Sequence, residues 1–592
     1  MFTRDRDWLA VLAASFAFGL VVSWHRWGGP LIDTGREMNQ PLRLLGGETL
    51  YSDVRHIYGP LSPWLHAALF RLCGPSLTVL YADGMIAAIA ILVLVYFLAR
   101  KIMSPAAAGT ATLSVTWLCV FKPSGNFILP YSYNSLHATL LGLVTLAILI
   151  RALERRRDAG APLRFLVAGL VAGLGMLAKT EMALATLAAG LTTAVLATYP
   201  SVLRGLRLAV IFVASAACLA FGVYAIIAAR VGWSTLVSDS WLLLYNMPPE
   251  LAYFNTRLFG FDDPLGSVGR MVVATVKVGI AAAVIGAIGS LIGADSLTHR
   301  RRAWYVLAAA FGALIVMALT TGFDWDLGPY LAMPLLLVGL LVLLVRRFRT
   351  EPGSSADTAI LIVYAIYALA SLARTILHVR SGGSYGSFLL PMSIVLFTYL
   401  WVGPFADLFR DVRVRTIAVT TALSLLVMTS VGTAGVLAYR YRTLNTVAID
   451  TPRGSLITSA DVGEAWNEAL AYIDQHTRPG DAVAVMPEGT SLDFLSGRRN
   501  PLREEIVTPG FLDAAGESRA IQQLQAANTR LILITNRPTR EFGAAAFGRD
   551  YCRQLMRWIE THYTVCRVFG PVEDPALQIG DTPFFIRAYC KM

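Results

Sequence analysis

Long runs of apolar residues, separated by short polar loops, fill the chain as far as about residue 438. Those long enough to cross a bilayer as helices, about 17–25 residues, fall near 8–25, 76–99, 106–121, 133–150, 163–178, 182–199, 206–229, 271–293, 304–321, 330–345, 358–377, 386–403 and 416–438. They predict about 13 spans, with the runs at 106–121 and 163–178 short for the purpose. Numbering the loops in order puts the basic clusters on one side. These are Arg4/Arg6, Arg100/Lys101, Arg151/Arg155/Arg156/Arg157, Arg204/Arg207, Arg300/Arg301/Arg302, Arg346/Arg347/Arg349 and Arg410/Arg413/Arg415. The opposite short loops carry isolated cations such as Lys122, Lys179 and Arg380. Cytoplasmic loops collect Lys and Arg, so the N-terminus is expected inside and the C-terminus outside. The first run has no small-residue cleavage site and reads as a signal anchor.

Three long segments fall on the outer side, at 26–75, 230–270 and 439–592. In the first, Tyr58-Gly-Pro-Leu-Ser-Pro-Trp-Leu-His66 has the apolar and aromatic content of short helices lying in the membrane interface. After Tyr439 the pattern changes to that of a soluble fold. An amphipathic helix is predicted over 461–476, a buried strand over 481–486 after the turn Arg478-Pro-Gly480, and a helix over 515–527. A strand over 530–535, a helix over 549–562, a strand over 563–569 and a last strand ending near Tyr589 follow. Alternating helices and strands indicate a small α/β domain. The expected fold is a polytopic α-helical membrane protein, residues 1–438, with a small extracytoplasmic α/β domain, residues 439–592. No P-loop, GxGxxG or solenoid repeat interrupts this plan.

Composition supports the membrane reading. The 592 residues are 55% hydrophobic and only 15% charged, against about 25% charged in a soluble domain; the mean hydropathy is +0.57. The net charge of +11 resides in topology-setting loops, so it does not indicate a nucleic-acid partner. The six cysteines form no CxxC or Cys/His metal spacing. Cys119 and Cys218 lie within apolar runs as packing residues. Cys566 and Cys590 fall in neighbouring predicted strands with Cys552 nearby, so a disulfide among them is open to an extracytoplasmic domain.

The candidate chemistry gathers at the outer rim. Asp33 and Glu37, in Leu31-Ile-Asp-Thr-Gly-Arg-Glu37, lie just past the first span. Carboxylates held at a membrane surface are costly and mark sites of chemistry or ion movement. Their loop also holds Arg36, Arg43, Arg55, His56 and Tyr58, and carboxylates beside cations suit a base facing an anionic leaving group. Lys179-Thr-Glu181 interrupts two apolar runs. It reads either as an internal pair closing a helical hairpin or as a phosphate ligand, because lysine is a compact point charge. Arg374, His378 and Arg380, followed by Ser381-Gly-Gly-Ser-Tyr385, suggest an anion site. Tyr131, Tyr133 and Asn134 could line a sugar subsite or form an interfacial aromatic belt. Asp324/Asp326 and Asp262/Asp263 read as hydrophilic turns, and His137 as a packing histidine. The spacing forms no metal motif and identifies no cofactor, although Asp33, Glu37 and His56 could in principle bind a divalent cation.

In this order the segments resemble a known family. Asp33-Thr-Gly-Arg-Glu37, Gly46-Gly-Glu-Thr-Leu-Tyr-Ser-Asp53, Tyr58-Gly-Pro-Leu-Ser-Pro-Trp64, Cys73-Gly-Pro-Ser76 and the Gly-rich run Gly169 to Lys179-Thr-Glu181 are similar to the polytopic glycosyltransferases that use polyprenyl-phosphate-linked sugars. Protein O-mannosyltransferases and the lipid A aminoarabinose transferase belong to that superfamily. The resemblance covers roughly residues 25–200, with topology and the α/β tail agreeing beyond. Two departures stand out: family members often have adjacent acids where Thr-Gly-Arg separates Asp33 from Glu37, and a lysine where Tyr58-Gly-Pro-Leu61 begins.

The resemblance implies glycosyl transfer on the outer face of the cytoplasmic membrane, from a polyprenyl-phosphate sugar to a hydroxyl on a glycan, lipid or protein acceptor. Asp33 is then the expected general base of an inverting reaction, with Glu37 in support. Arg55, His56, Lys179, Arg374 and Arg380 are expected around the phosphate. Tyr58, Tyr131, Tyr133, Asn134, Glu181, His378 and Tyr385 are expected around substrate. The rival reading is a lipid or solute transporter or a non-catalytic polysaccharide-export component. Against it stands the scarcity of ionisable residues deep in the spans.

Overall fold

The computed structural model describes residues 4–32, 34–156, 158–240, 247–321, 329–350, 356–379, 385–570 and 584–592. Asp33, Arg380, Asp324 and Asp326 lie outside them. Each predicted apolar run coincides with a helix. Nine among the described residues are long and apolar enough to cross a membrane: α1 (Asp5–Ser23), α4 (Leu77–Arg100), α6 (Tyr133–Glu154), α7 (Ala161–Ala178), α8 (Thr180–Thr198), α9 (Val202–Val231), α12 (Pro264–Gly293), α17 (Pro391–Val402, continued to Leu408) and α18 (Val412–Leu444). The other four runs form α5 (Pro105–Val115), α13 (Leu297–Thr321), α14 (Met333–Thr350) and α15 (Ala356–Ser371). Between them lie the short helices α2 (Thr34–Leu45), α3 (Leu61–Cys73), α10 (Trp233–Ser240), α11 (Pro249–Leu258) and α16 (Gly386–Leu389).

The tail begins with a hairpin that the residue pattern did not signal, β1 (Val447–Thr451) with β2 (Gly454–Thr458). Its turn rests on the start of α4, where the Leu77 N–H donates to the Arg453 carbonyl at 2.8 Å. Gly454 has φ +125°, and a Cβ there would lie 2.8 Å from that of Leu77, so both backbone and space require glycine. The elements α19 (Ala460–His476), β3 (Val483–Met486), α20 (Ser491–Ser496), α21 (Ala514–Ala526), β4 (Leu531–Thr535), α22 (Arg553–His562), β5 (Tyr563–Phe569) and β6 (Ile586–Lys591) follow. Sheet order is β3-β4-β6-β5. β3 and β4 are parallel, with Val483 opposite Leu531, and the other pairs are antiparallel.

Strand alternation explains how this sheet is held. Val483, Val485, Leu531 and Leu533 join the apolar core that runs on into the membrane bundle. Ala484, Met486, Ile532 and Ile534 face a second core with α21 and α22. Both faces of β3 and β4 are therefore covered, which accounts for their continuous apolar sequence. The exposed edge strand β5 is stapled to β6 by the Cys566–Cys590 disulfide. Cys552 stays a buried free thiol, and Cys119 and Cys218 are also free.

Nine of the twelve residues of α2 are buried, because the helix lies between the bundle and the tail. One face, Gly35, Asn39 and Arg43, repeats every four residues and meets the tail. Asn39 donates to Glu505 at 2.9 Å, and Arg43 pairs with Glu505 and Glu48, each at 2.6 Å. At Gly35 a Cβ would lie 2.4 Å from the Ser491 backbone nitrogen. Gly35→Ala should therefore push α20 away and cost about 1–3 kcal/mol. The expected readout is a lowered Tm with faster proteolysis between α18 and α19.

Asp493 on α20 is fully buried, and neither carboxylate oxygen has a hydrogen-bond partner among the described residues. Burial raises its pKa well above the usual range; Glu505 adds to the rise and Arg43 opposes it. The folded state thus holds this proton more tightly than the unfolded chain, and stability is lost as pH rises from about 4, the free carboxyl value, through the folded pKa. Asp493→Asn should raise Tm at neutral pH, with the difference from wild type closing as pH falls toward about 4. Parallel Tm–pH curves would refute this.

Candidate functional site

Glu37 sits on the α2 face opposite Gly35, toward the bundle. It pairs with Arg36 at 3.2 Å and accepts the Tyr133 backbone N–H at 3.2 Å. Burial raises its pKa, while Arg36 and His66 pull it back. The Arg36 guanidinium donates to the Tyr131 carbonyl at 3.3 Å and lies 5.5 Å from the Tyr58 ring centroid. Tyr58 in turn carries the Lys179 amine 4.6 Å from its ring centroid. This ring links the acidic loop to the cationic groups beyond it.

Tyr58 is placed by Gly59. A Cβ at Gly59 would lie 2.0 Å from the Leu177 carbonyl oxygen, so only glycine lets this loop run against the end of α7. The Gly59 N–H donates to the Ala178 carbonyl at 3.2 Å. Asn134 ties the same junction, its amide donating to the Gly59 and Ala178 carbonyls at 2.8 and 2.9 Å. Between α7 and α8 the chain passes through a single extended residue, Lys179, with φ −150° and ψ 107°. Its amine points into a cavity of about 200 Å³ bounded by Tyr131, Ser135, Glu181, Arg374, Tyr385 and Phe388 and, on the apolar side, by Met182, Leu184, Ala370 and Leu389.

The charges in this cavity form one cluster. Lys179 is buried, donates to the Ser135 hydroxyl at 2.7 Å and pairs with Glu181 at 3.1 Å. Arg374, on the turn after α15, pairs with the same Glu181 and donates to Asn255 at 2.6 Å. The Tyr385 ring lies 5.4 Å from the Lys179 amine and 5.0 Å from the Arg374 guanidinium. Burial pushes the Tyr385 hydroxyl up to about 12, so it remains a neutral donor. Two cations share one carboxylate here, and the cavity keeps a net positive charge. The lysine–glutamate pair and the anion-site reading of this segment describe the same residues.

Other residues singled out from the sequence lie elsewhere. Arg55 pairs with Asp239 at 3.4 Å, donates to the Phe511 carbonyl and stacks on its ring, binding the outer loop to α10 and the tail. His56 is buried with Nε2 3.1 Å from the Gly59 carbonyl. Burial, with Arg36 nearby, lowers its pKa to about 3, so it is neutral and supplies no cation for a phosphate. The Tyr133 hydroxyl is bound to the Leu80 carbonyl at 2.7 Å, and both Tyr133 and Asn134 are fully buried; their polar groups serve the fold. His378 packs against Gly260 outside the cavity lining. Ser135 and Phe388 complete the cavity, and Asn255 holds Arg374 from outside its lining, all unannounced by any motif.

Residues 58–227 match the family model described as dolichyl-phosphate-mannose-protein mannosyltransferase. Among solved structures, the chain is similar to the archaeal oligosaccharyltransferase AglB from Archaeoglobus fulgidus, in complex with an inhibitory peptide and a dolichol-phosphate. Identity is 12% over 89% of this chain and 69% of that one, with a TM-score of 0.48. It is also similar to ArnT from Cupriavidus metallidurans bound to undecaprenyl phosphate (13% identity, 98% and 97% coverage, TM-score 0.42). A third likeness is to the arabinofuranosyltransferase AftD from Mycobacteria (14% identity, 99% and 41% coverage, TM-score 0.42). No curated protein sequence matches the chain. The family match spans the segment that supplies Tyr58, Tyr131, Ser135, Lys179 and Glu181.

Proposed function

We propose that the enzyme moves a single sugar from a polyprenyl-phosphate donor to an acceptor hydroxyl on the outer face of the cytoplasmic membrane, with inversion. The observation that carries this reading is the cavity in which Lys179 and Arg374 share Glu181 beside an apolar wall. The donor phosphate meets the two cations, and its lipid tail follows Met182, Leu184 and Leu389 toward the bilayer. Burial matters to the energy: a unit charge pair at 4 Å is worth about 4 kcal/mol at an effective dielectric near 20 but about 1 kcal/mol in water. The arginine-rich loops, gathered opposite this rim, support an extracytoplasmic site. So does the Cys566–Cys590 disulfide, a feature of oxidising compartments.

In this reading Asp33 takes the proton of the acceptor hydroxyl as its oxygen attacks the anomeric carbon. The bond from that carbon to the phosphate oxygen breaks, and polyprenyl phosphate leaves with the electron pair. Lys179, Arg374 and Tyr385 stabilise the charge that develops on the leaving oxygen. Glu37, four residues on in the chain, supports by holding Arg36 beside Tyr58. The domain plan is part of the proposal: residues 1–438 carry catalysis, with the outer loop 26–75 at its centre, and residues 439–592 form the soluble domain that closes over that loop.

Three outcomes test it. Asp33→Asn in membranes supplied with donor and acceptor should lose at least about 100-fold in transfer rate; near-normal turnover removes Asp33 from the base role. Lys179→Met should raise the donor KM by about 10–100-fold, the equivalent of about 1.4–2.8 kcal/mol. An unchanged donor KM would move the phosphate elsewhere. Purified protein that carries a polyprenyl-phosphate sugar across the membrane without turning it over would favour the transporter reading instead.

A further inference from the structure

Behind Glu37, three metal-ligating side chains from three different helices converge. His66 comes from α3, Asp83 from the first turns of α4 and His137 from the first turns of α6. One oxygen of Asp83 lies 2.9 Å from His66 Nε2 and 3.0 Å from His137 Nε2, and the three ligand atoms lie within 4.8 Å of one another. The Ser62 hydroxyl stands 2.8 Å from the other ring nitrogen of His137. His66 and His137 are buried, and the Asp83 side chain is 14% exposed, which leaves a way in.

We propose that His66, Asp83 and His137 bind one divalent transition-metal ion, Zn²⁺ by the match of donors. Two imidazoles and a carboxylate are a recurrent zinc set, and bonds of about 2.0–2.1 Å place neighbouring ligand atoms of a tetrahedral site about 3.3 Å apart. The separations at Asp83 are within a few tenths of an ångström of that. A serine on the distal nitrogen of His137 is the outer partner that fixes the tautomer and aims Nε2 at a metal. Charge fits as well. Neutral imidazoles with one carboxylate total −1, and a divalent ion makes the cluster +1 close to the Glu37 carboxylate. None of the three side chains lines the Lys179 cavity, and the Tyr133 ring packs 4.3 Å from that of His66. The ion is therefore a structural pin that fixes the outer loop helix α3 to the bundle helices α4 and α6, and not a ligand of the sugar donor. The inference stands independently of the transfer reaction.

The test is metal content. Full-length protein purified without a histidine tag or chelator, then dialysed against Zn²⁺ and metal-free buffer, should hold about one zinc per chain by mass spectrometry. His137→Ala and Asp83→Asn should hold less than about a tenth of that, whereas His562→Ala, an exposed histidine in the tail, should match wild type. Should the variants fail to fold, wild type alone decides. Chelation should lower its Tm and Zn²⁺ restore it where Mg²⁺ does not, and Co²⁺ should bind with the visible absorption of a tetrahedral site. A folded wild type that takes up no zinc and whose Tm ignores chelator and Zn²⁺ would overturn the proposal and leave a hydrogen-bonded His–Asp–His cluster. Full zinc stoichiometry in Asp83→Asn would do the same.

Discussion

A charged helix buried on two sides is the constraint on which the outer half of this protein depends. Helix α2 lies between a membrane bundle and a soluble domain, so its ionisable groups have little access to water. A buried charge without a partner costs several kcal/mol, and each cation on α2 is accordingly matched. Arg36 has Glu37, and Arg43 has Glu48 and Glu505. Glu505 belongs to the tail. The outer loop therefore reaches its final electrostatic state only when the soluble domain is docked, and the tail forms part of the structure that positions the loop. Arg503 on the same tail segment repeats the arrangement, pairing with Asp239 of α10 and donating to the Tyr51 carbonyl at 2.7 Å.

The same rule operates with a different result at the cavity. Lys179 and Arg374 have one carboxylate between them, and hydroxyl, amide and aromatic groups hold the remainder of their charge. Where α2 is neutralised pair by pair, the cavity is left cationic. That contrast is what suits it to an anion in the proposed reading. A fully matched pair would lose its partner on binding a phosphate, whereas here a phosphate would supply a missing charge. Tyr58 lies between the two regimes, with Arg36 and Lys179 both near its ring.

Local patterns made the elements legible from sequence: long apolar runs located the membrane helices, and the short continuous apolar runs in 483–486 and 531–535 located the central strands. The Lys179, Glu181, Arg374 and Tyr385 grouping was also visible, because cations and acids interrupting apolar runs are rare enough to stand out. What remained hidden depends on distant pairings. Arg55 and His56 look like phosphate ligands in the linear sequence, but Arg55 is taken by Asp239 and Phe511, and His56 is neutralised by burial. Tyr133 and Asn134 look like sugar contacts, yet backbone carbonyls from separate segments take the Tyr133 hydroxyl and the Asn134 amide N–H groups. His66, Asp83 and His137 have no motif spacing and meet only because three helices do. The hairpin β1–β2 escaped notice because its support is Leu77 at the start of α4.

The glycine in the Thr-Gly-Arg spacer between Asp33 and Glu37 has a physical reason in the packing of α2. Residues four apart share a helical face. Gly35, Asn39 and Arg43 form the face that touches the tail, with the backbone of Ser491 too close to admit a Cβ at Gly35. Glu37, two residues on, is rotated to the other side, where it meets Arg36 and the backbone of Tyr133. An acid at position 35 would put a carboxylate against the backbone of Ser491. With the tail docked this closely, Glu37 falls where the helix has turned away from it. The glycine at 35 and the tight docking of the soluble domain are one structural choice.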